Sequence, residues 1–181
     1  HSGDAPWLFA VLLPLLLALA SRLPDTAMRG AWVLANLGDV RAQGALLQLT
    51  RHPEAEVRKN AATLLSAYKN DDARTRLVWL LDDSAATVRA AAFDAFKTTE
   101  TDQKAVADVA LRSSHEDIRV RGLEALLKSA EAGKTPEHTA LLEDALEDES
   151  AKVRGEAFKT LWSFNQGNKE AAITRALAAR F

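Results

Sequence analysis

Apolar residues along this chain fall into short runs at helical spacing separated by polar turns, and one such run returns five times. The copies read PDTAMRGAWVLANL, PEAEVRKNAATLL, SAATVRAAAFDAF, SHEDIRVRGLEAL and ESAKVRGEAFKTL. The aliphatic residue before each arginine serves as an anchor: Val57, Val88, Ile118 and Val153. Four residues on stands a small residue (Ala61, Ala92, Gly122, Ala157), and eight on a large apolar one (Leu65, Phe96, Leu126, Leu161). These offsets share one helix face, with the small residue where a neighbouring helix comes close. The first copy departs from the pattern, carrying Trp32 and Asn36 at those offsets, as end repeats often do.

A second helix precedes each of these. The predicted pairs are 6–22 with 25–37, 40–51 with 54–68, 71–82 with 85–98, 101–113 with 115–130, and 136–147 with 150–165, followed by a terminal helix over 168–180. Pro24, Pro53, Ser84, Ser114 and Glu149 lie four residues before the anchor, where the chain turns and the next helix needs its first amides satisfied. The repeat arginines Arg29, Arg58, Arg89, Arg119 and Arg154 are spaced by 29, 31, 30 and 35 residues. That period marks stacked helical hairpins, so the fold class is all-α, a right-handed α-solenoid of about five hairpins plus the terminal helix. Residues 1–181 read as a single repeat domain, and Glu131 to Pro136 as a bulging loop that accounts for the longest step.

The Val-Arg that opens each second helix, with the linking phrase Leu37-Gly38-Asp39-Val40-Arg41-Ala42 and its looser copy Asn70-Asp71-Asp72-Ala73-Arg74, resembles the HEAT-like repeats first described in phycobilisome lyases. The resemblance covers residues 6 to 165 and implies that the five arginines brace turns and nearby acidic side chains rather than hold a ligand. A planar, five-donor guanidinium suits that task. It also implies a non-catalytic module that binds a protein or peptide partner, or alternatively a regulatory or subunit domain of a lyase-like enzyme whose catalytic residues lie elsewhere.

Charge and chemistry narrow this further. A net charge of -2 is spread as +1, 0, -2 and -1 over residues 1–52, 53–98, 99–131 and 132–181, so no basic lane for nucleic acid emerges. The absence of cysteine removes disulfides and thiolate metal sites. His52 and His115 fall in turns, and His115-Glu116 occurs once, without the repeated His-Glu pairs that supply iron ligands in the HEAT-repeat deoxyhypusine hydroxylases. Acidic runs such as Glu147-Asp148-Glu149 sit at helix ends, and no phosphate loop or nucleophile motif is present. The expectation is no enzyme activity, no cofactor and no metal.

Two apolar features remain. Trp7 to Ala20 is too short to span a bilayer and is interrupted by Pro14. It occupies the first-helix position of repeat one, and its all-round apolarity is expected to meet another domain, a second copy or a membrane-proximal segment. Since the chain starts His-Ser-Gly and its only methionine is Met28, it reads as a piece of a longer protein or a processed form. On the second helices, offsets of two, six and nine from the anchor should face solvent. In repeats four and five these include Val120, Leu127, Lys159 and Trp162, the candidate partner-binding residues, with Trp162 as anchor.

Overall fold

The computed structural model describes residues 23–128 and 136–164, with isolated positions 12, 14, 15, 17, 18 and 174 beside them. Among the described residues there are nine helices and no strand: α1 (Pro24–Asn36), α2 (Val40–Leu49), α3 (Ala55–Leu65), α4 (Asp71–Leu80), α5 (Ala86–Thr99), α6 (Gln103–Leu111), α7 (Glu116–Leu127), α8 (Pro136–Ala145) and α9 (Ala151–Phe164). Every hairpin from repeat two to repeat five stands where the periodicity puts it, giving the all-α, solenoid-type stacking expected. Residues 131–135 of the bulging loop and most of the helices over 6–22 and 168–180 lie outside the described residues, and Pro136, the last residue of that loop, opens α8. Leu12, Pro14, Leu15, Leu17, Ala18 and Thr174 are described, and all are helical.

Local chemistry explains the breaks. Leu37-Gly38-Asp39 stops α1 and starts α2. Gly38 takes φ of +71°, where a Cβ would be strained, and the Asp39 amide then donates back to the Leu34 carbonyl at 2.9 Å. The Asp39 side chain in turn accepts from the Arg41 amide and caps α2. Asn70 and Asp102 cap α4 and α6 in the same way. Pro24 begins α1, where a missing amide hydrogen costs nothing.

The chain divides into two compact units, residues 1–99 and 100–181. In the first, the second helices α1, α3 and α5 pack side by side, and α2 and α4 cover them as another layer. Leu34, Leu46, Leu65, Leu77, Leu80, Val88 and Phe96 fill the space between. Two polar ties join successive hairpins: the Tyr68 hydroxyl donates to the Asp39 carbonyl at 2.8 Å, and the Gln43 and Asn70 amides exchange bonds of 2.8 and 2.9 Å. A mutual amide pair satisfies groups that burial would otherwise penalise.

In the second unit, α6 and α8 pack on α7 and α9 around Leu123, Leu126, Leu142, Leu146, Val153 and Leu161. A Cβ on Gly122 would stand 2.7 Å from the Ala110 Cβ and 3.4 Å from the Ala107 carbonyl oxygen. The small residue at offset four is thus a place of close approach between α6 and α7. The equivalent Ala61, Ala92 and Ala157 are fully buried.

Candidate functional site

Four of the five repeat arginines reach the turn in front of their own helix. Arg58 donates from Nη1 to the carbonyls of His52 and Pro53, both at 2.8 Å, and Arg89 to those of Asp83 and Ser84 at 2.8 and 3.2 Å. Arg154 does the same with Asp148 and Glu149 at 2.8 and 2.9 Å, and Arg119 reaches the Ser113 carbonyl at 3.1 Å. Arg58 and Arg119 also clamp the turn of the following repeat. Arg58 meets Asp83 through Nε and Nη2, each at 2.8 Å, and Arg119 meets Asp148 through the same atoms at 2.8 and 3.0 Å. Fork-to-carboxylate pairing of this kind fixes geometry as well as energy.

The Arg58–Asp83 clamp makes stability respond to acid. Burial alone would raise the Asp83 carboxyl, but the Arg58 guanidinium and the Ala85 amide together hold it below its ordinary value of 3.8. A carboxyl depressed in the folded state contributes stability above its unfolded pKa and loses it as pH falls through the folded one. The stability advantage of the wild type over Asp83→Asn should therefore be constant near neutrality and shrink below about pH 4. Urea midpoints of both proteins across that range check this, and a difference that grows in acid would contradict it.

The proposed patch on repeats four and five is corrected at Val120, which is buried in the core of the second unit. The helix α7 is packed by α6 on one side and α9 on another, so its covered arc is wider than a single stripe and takes in offset two. Leu127 is half-buried. Trp162 is exposed at its edge, with its ring 6.0 Å from that of Phe158, and Lys159 is exposed and paired with Glu156 at 3.0 Å. These residues do not make one apolar stripe.

The departure of the first copy leads to a different place. On α1 the buried positions are Ala27, Gly30, Ala31, Leu34 and Ala35, one residue earlier than the anchor alignment requires. One residue is a rotation of about 100°. That rotation carries Trp32 out to 56% exposure and takes Arg29 away from the bracing position. Arg29 is exposed and has no hydrogen bond or ion pair among the described residues, and the position that Asp83 and Asp148 fill in the following repeat is His52. Trp32, Met28 and Val33 on α1 and Asn60, Thr63 and Leu64 on α3 line a groove of about 570 Å³ with Arg29 at its edge. Beyond Thr63 it meets a more polar trough lined by Lys59, Ser66, Asp94 and Thr98.

Hairpins braced by arginines at their turns, with an open groove on the second helices, are the setting of the candidate site. Residues 12–97 match the family model of HEAT repeats. The segment is a HEAT-repeat array. No curated protein matches the chain. Two engineered proteins are similar at 21% identity each, one with TM-score 0.48 over 94% of this chain and 85% of that one, the other with 0.47 over 93% and 51%. The complex of CpcE and CpcF of phycocyanin lyase from Nostoc sp. PCC7120 is similar at 19% identity and TM-score 0.46, over 99% of this chain and 83% of that one. HEAT repeats generally mediate protein–protein interaction. No described helix is long and apolar enough to cross a membrane, and among the described residues no cluster of three His, Asp or Glu could hold a metal ion.

Proposed function

We propose that this HEAT array is a non-enzymatic protein-interaction module, and that it takes an amphipathic segment of a partner protein in the groove between α1 and α3. The observation that carries this is the one-residue rotation of α1. It presents Trp32 and Arg29 to solvent together, and among the described residues Arg29 has no bracing partner. Exposed tryptophan beside apolar walls is the composition of an interface hot spot, and Arg29 selects a carboxylate on the occupant. Asn60 and Thr63 supply hydrogen-bonding groups to polar atoms of the same segment.

Affinity capture with the whole chain, followed by peptide mapping of the retained protein, tests the reading. Trp32→Ala should weaken binding of the mapped peptide at least about thirtyfold, the scale of a hot-spot truncation of about 2 kcal/mol. Arg29→Glu should weaken it less and turn preference towards a basic peptide. The helical spectrum should stay that of the wild type in both, because each side chain is exposed. A mapped peptide whose affinity is indifferent to both substitutions would overturn the assignment.

A further inference from the structure

The layer of first helices carries a second arrangement of unusual charge. Arg51, at the turn after α2, and Arg76, on α4, line one groove of about 640 Å³ with Leu47, Asp72, Thr75 and Trp79. The Arg76 guanidinium carbon lies 5.1 Å from the centre of the Trp79 ring, and that ring is 60% exposed. A guanidinium over an indole face is held flat and keeps its outer N–H edge for a further acceptor. Neither arginine has a carboxylate partner among the described residues. The Asp71 carboxylate, which does not line the groove, lies 3.7 Å from Arg74.

Two like charges brought into one groove oppose each other in the free protein. Burial, and then the charge of Arg51, hold the Arg76 guanidinium below its ordinary value, so the pair is close enough to interact. An anion in the groove removes that opposition and adds charge-assisted hydrogen bonds, whereas a neutral occupant does neither. Nucleic acid fits poorly. Residues 53–98 carry no net charge, and a phosphate backbone draws its affinity from many cations in a lane, whereas two carboxylates need only the two arginines.

We infer that the groove between α2 and α4 is a second docking surface, which takes an acidic segment of a partner protein with two carboxylates on Arg51 and Arg76 and an apolar side chain on Trp79. It is separate from the groove of the second helices and shares no lining residue with it. The array would then hold two segments at once, one from each layer of helices.

Fluorescence anisotropy with the whole chain tests this. The probes are short synthetic peptides with two glutamates at varied spacing around a leucine, their glutamine and lysine counterparts, and a single-stranded oligonucleotide. Glutamate peptides should bind and glutamine peptides should not. Arg76→Glu should weaken the glutamate peptides at least about tenfold, and Arg51→Glu with Arg76→Glu should transfer binding to the lysine peptides. Trp79→Ala should weaken binding with charge preference kept, and Arg29→Glu should change nothing, which separates this surface from the α1–α3 groove. The single substitutions Arg51→Gln and Arg76→Gln give the same ordering with less perturbation if the reversed pair folds poorly. Equal binding of glutamate and glutamine peptides, indifference to the arginine substitutions, oligonucleotide binding in place of peptide binding, or self-association of the chain through the two arginines would each overturn the inference.

Discussion

Replacing Arg119 with alanine is expected to destabilise the second unit by roughly 2–4 kcal/mol, the scale for removing one partner of a buried, hydrogen-bonded ion pair. The side chains of Arg119 and Asp148 are only 7% and 13% exposed, so water cannot easily replace the lost guanidinium. Three partners are left behind: the Asp148 carboxylate, the Ser113 carbonyl and, at 3.3 Å, a Glu149 oxygen. Asp148 also accepts from the Ser150 amide at 2.8 Å, so the turn leading into α9 loosens as well. Arg119→Lys should recover little, because an ammonium cannot bridge two carboxylate oxygens and a carbonyl at the fixed angles of the fork. Urea denaturation followed by circular dichroism gives the measurement. If the lysine variant is as stable as the wild type, charge alone matters and the clamp does not.

The Leu126→Ala variant is expected to lose about 3–5 kcal/mol, the range for a leucine truncated where the surroundings cannot collapse. Leu126 is fully buried among Leu123, Leu142 and Leu161, which come from three helices, and none can move into the void without leaving its own contacts. Leu126→Met, which nearly conserves volume, should cost under about 1.5 kcal/mol. Amide exchange in α7 and α9 should accelerate in the alanine variant and remain close to wild type in the methionine one. Loss of equal size in both would show that side-chain shape, not cavity volume, governs the site.

These two residues were legible in the sequence for different reasons. Leu126 belongs to an offset of eight from the anchor, and every residue at that offset in repeats two to five (Leu65, Phe96, Leu126, Leu161) is buried. A helix with one covered face forces that periodicity on its sequence. Arg119 was legible as a repeated residue type. Its carboxylate partner was not, since Asp148 lies 29 residues away in a turn where the other repeats carry His52, Asp83 or Ser113. A contact between successive hairpins depends on which turn atoms come level with the fork, and spacing along the chain does not record that.

The candidate groove shows where periodicity stops informing. Trp32 at a core offset had the appearance of an irregular core residue in an end repeat. It is an exposed wall because α1 buries the stripe that begins at Ala27 rather than the one at Met28. Both stripes were present in the sequence: Ala27, Ala31 and Ala35 are as evenly spaced as Met28, Trp32 and Asn36. The choice between them is made by packing. The small faces of Ala27, Ala31 and Ala35 let α1 lie close to α2 and α3, and a tryptophan on that face would hold them apart. Val120 is the opposite case, a residue that one-stripe geometry puts outside but that burial against more than one neighbouring helix draws in.

The sequence by itself determined the two-helix plan, the turns, the buried anchors and the recurring arginine of repeats two to five, because these depend on local propensity and on a period that a helix imposes on its own residues. The tertiary structure alone decided which stripe of α1 faces inward, which arginines find a carboxylate, and that Arg51 and Arg76 share a groove with Trp79. Those outcomes depend on the rotation and approach of neighbouring helices, which follow from packing between residues some thirty positions apart and leave no periodic trace in the chain.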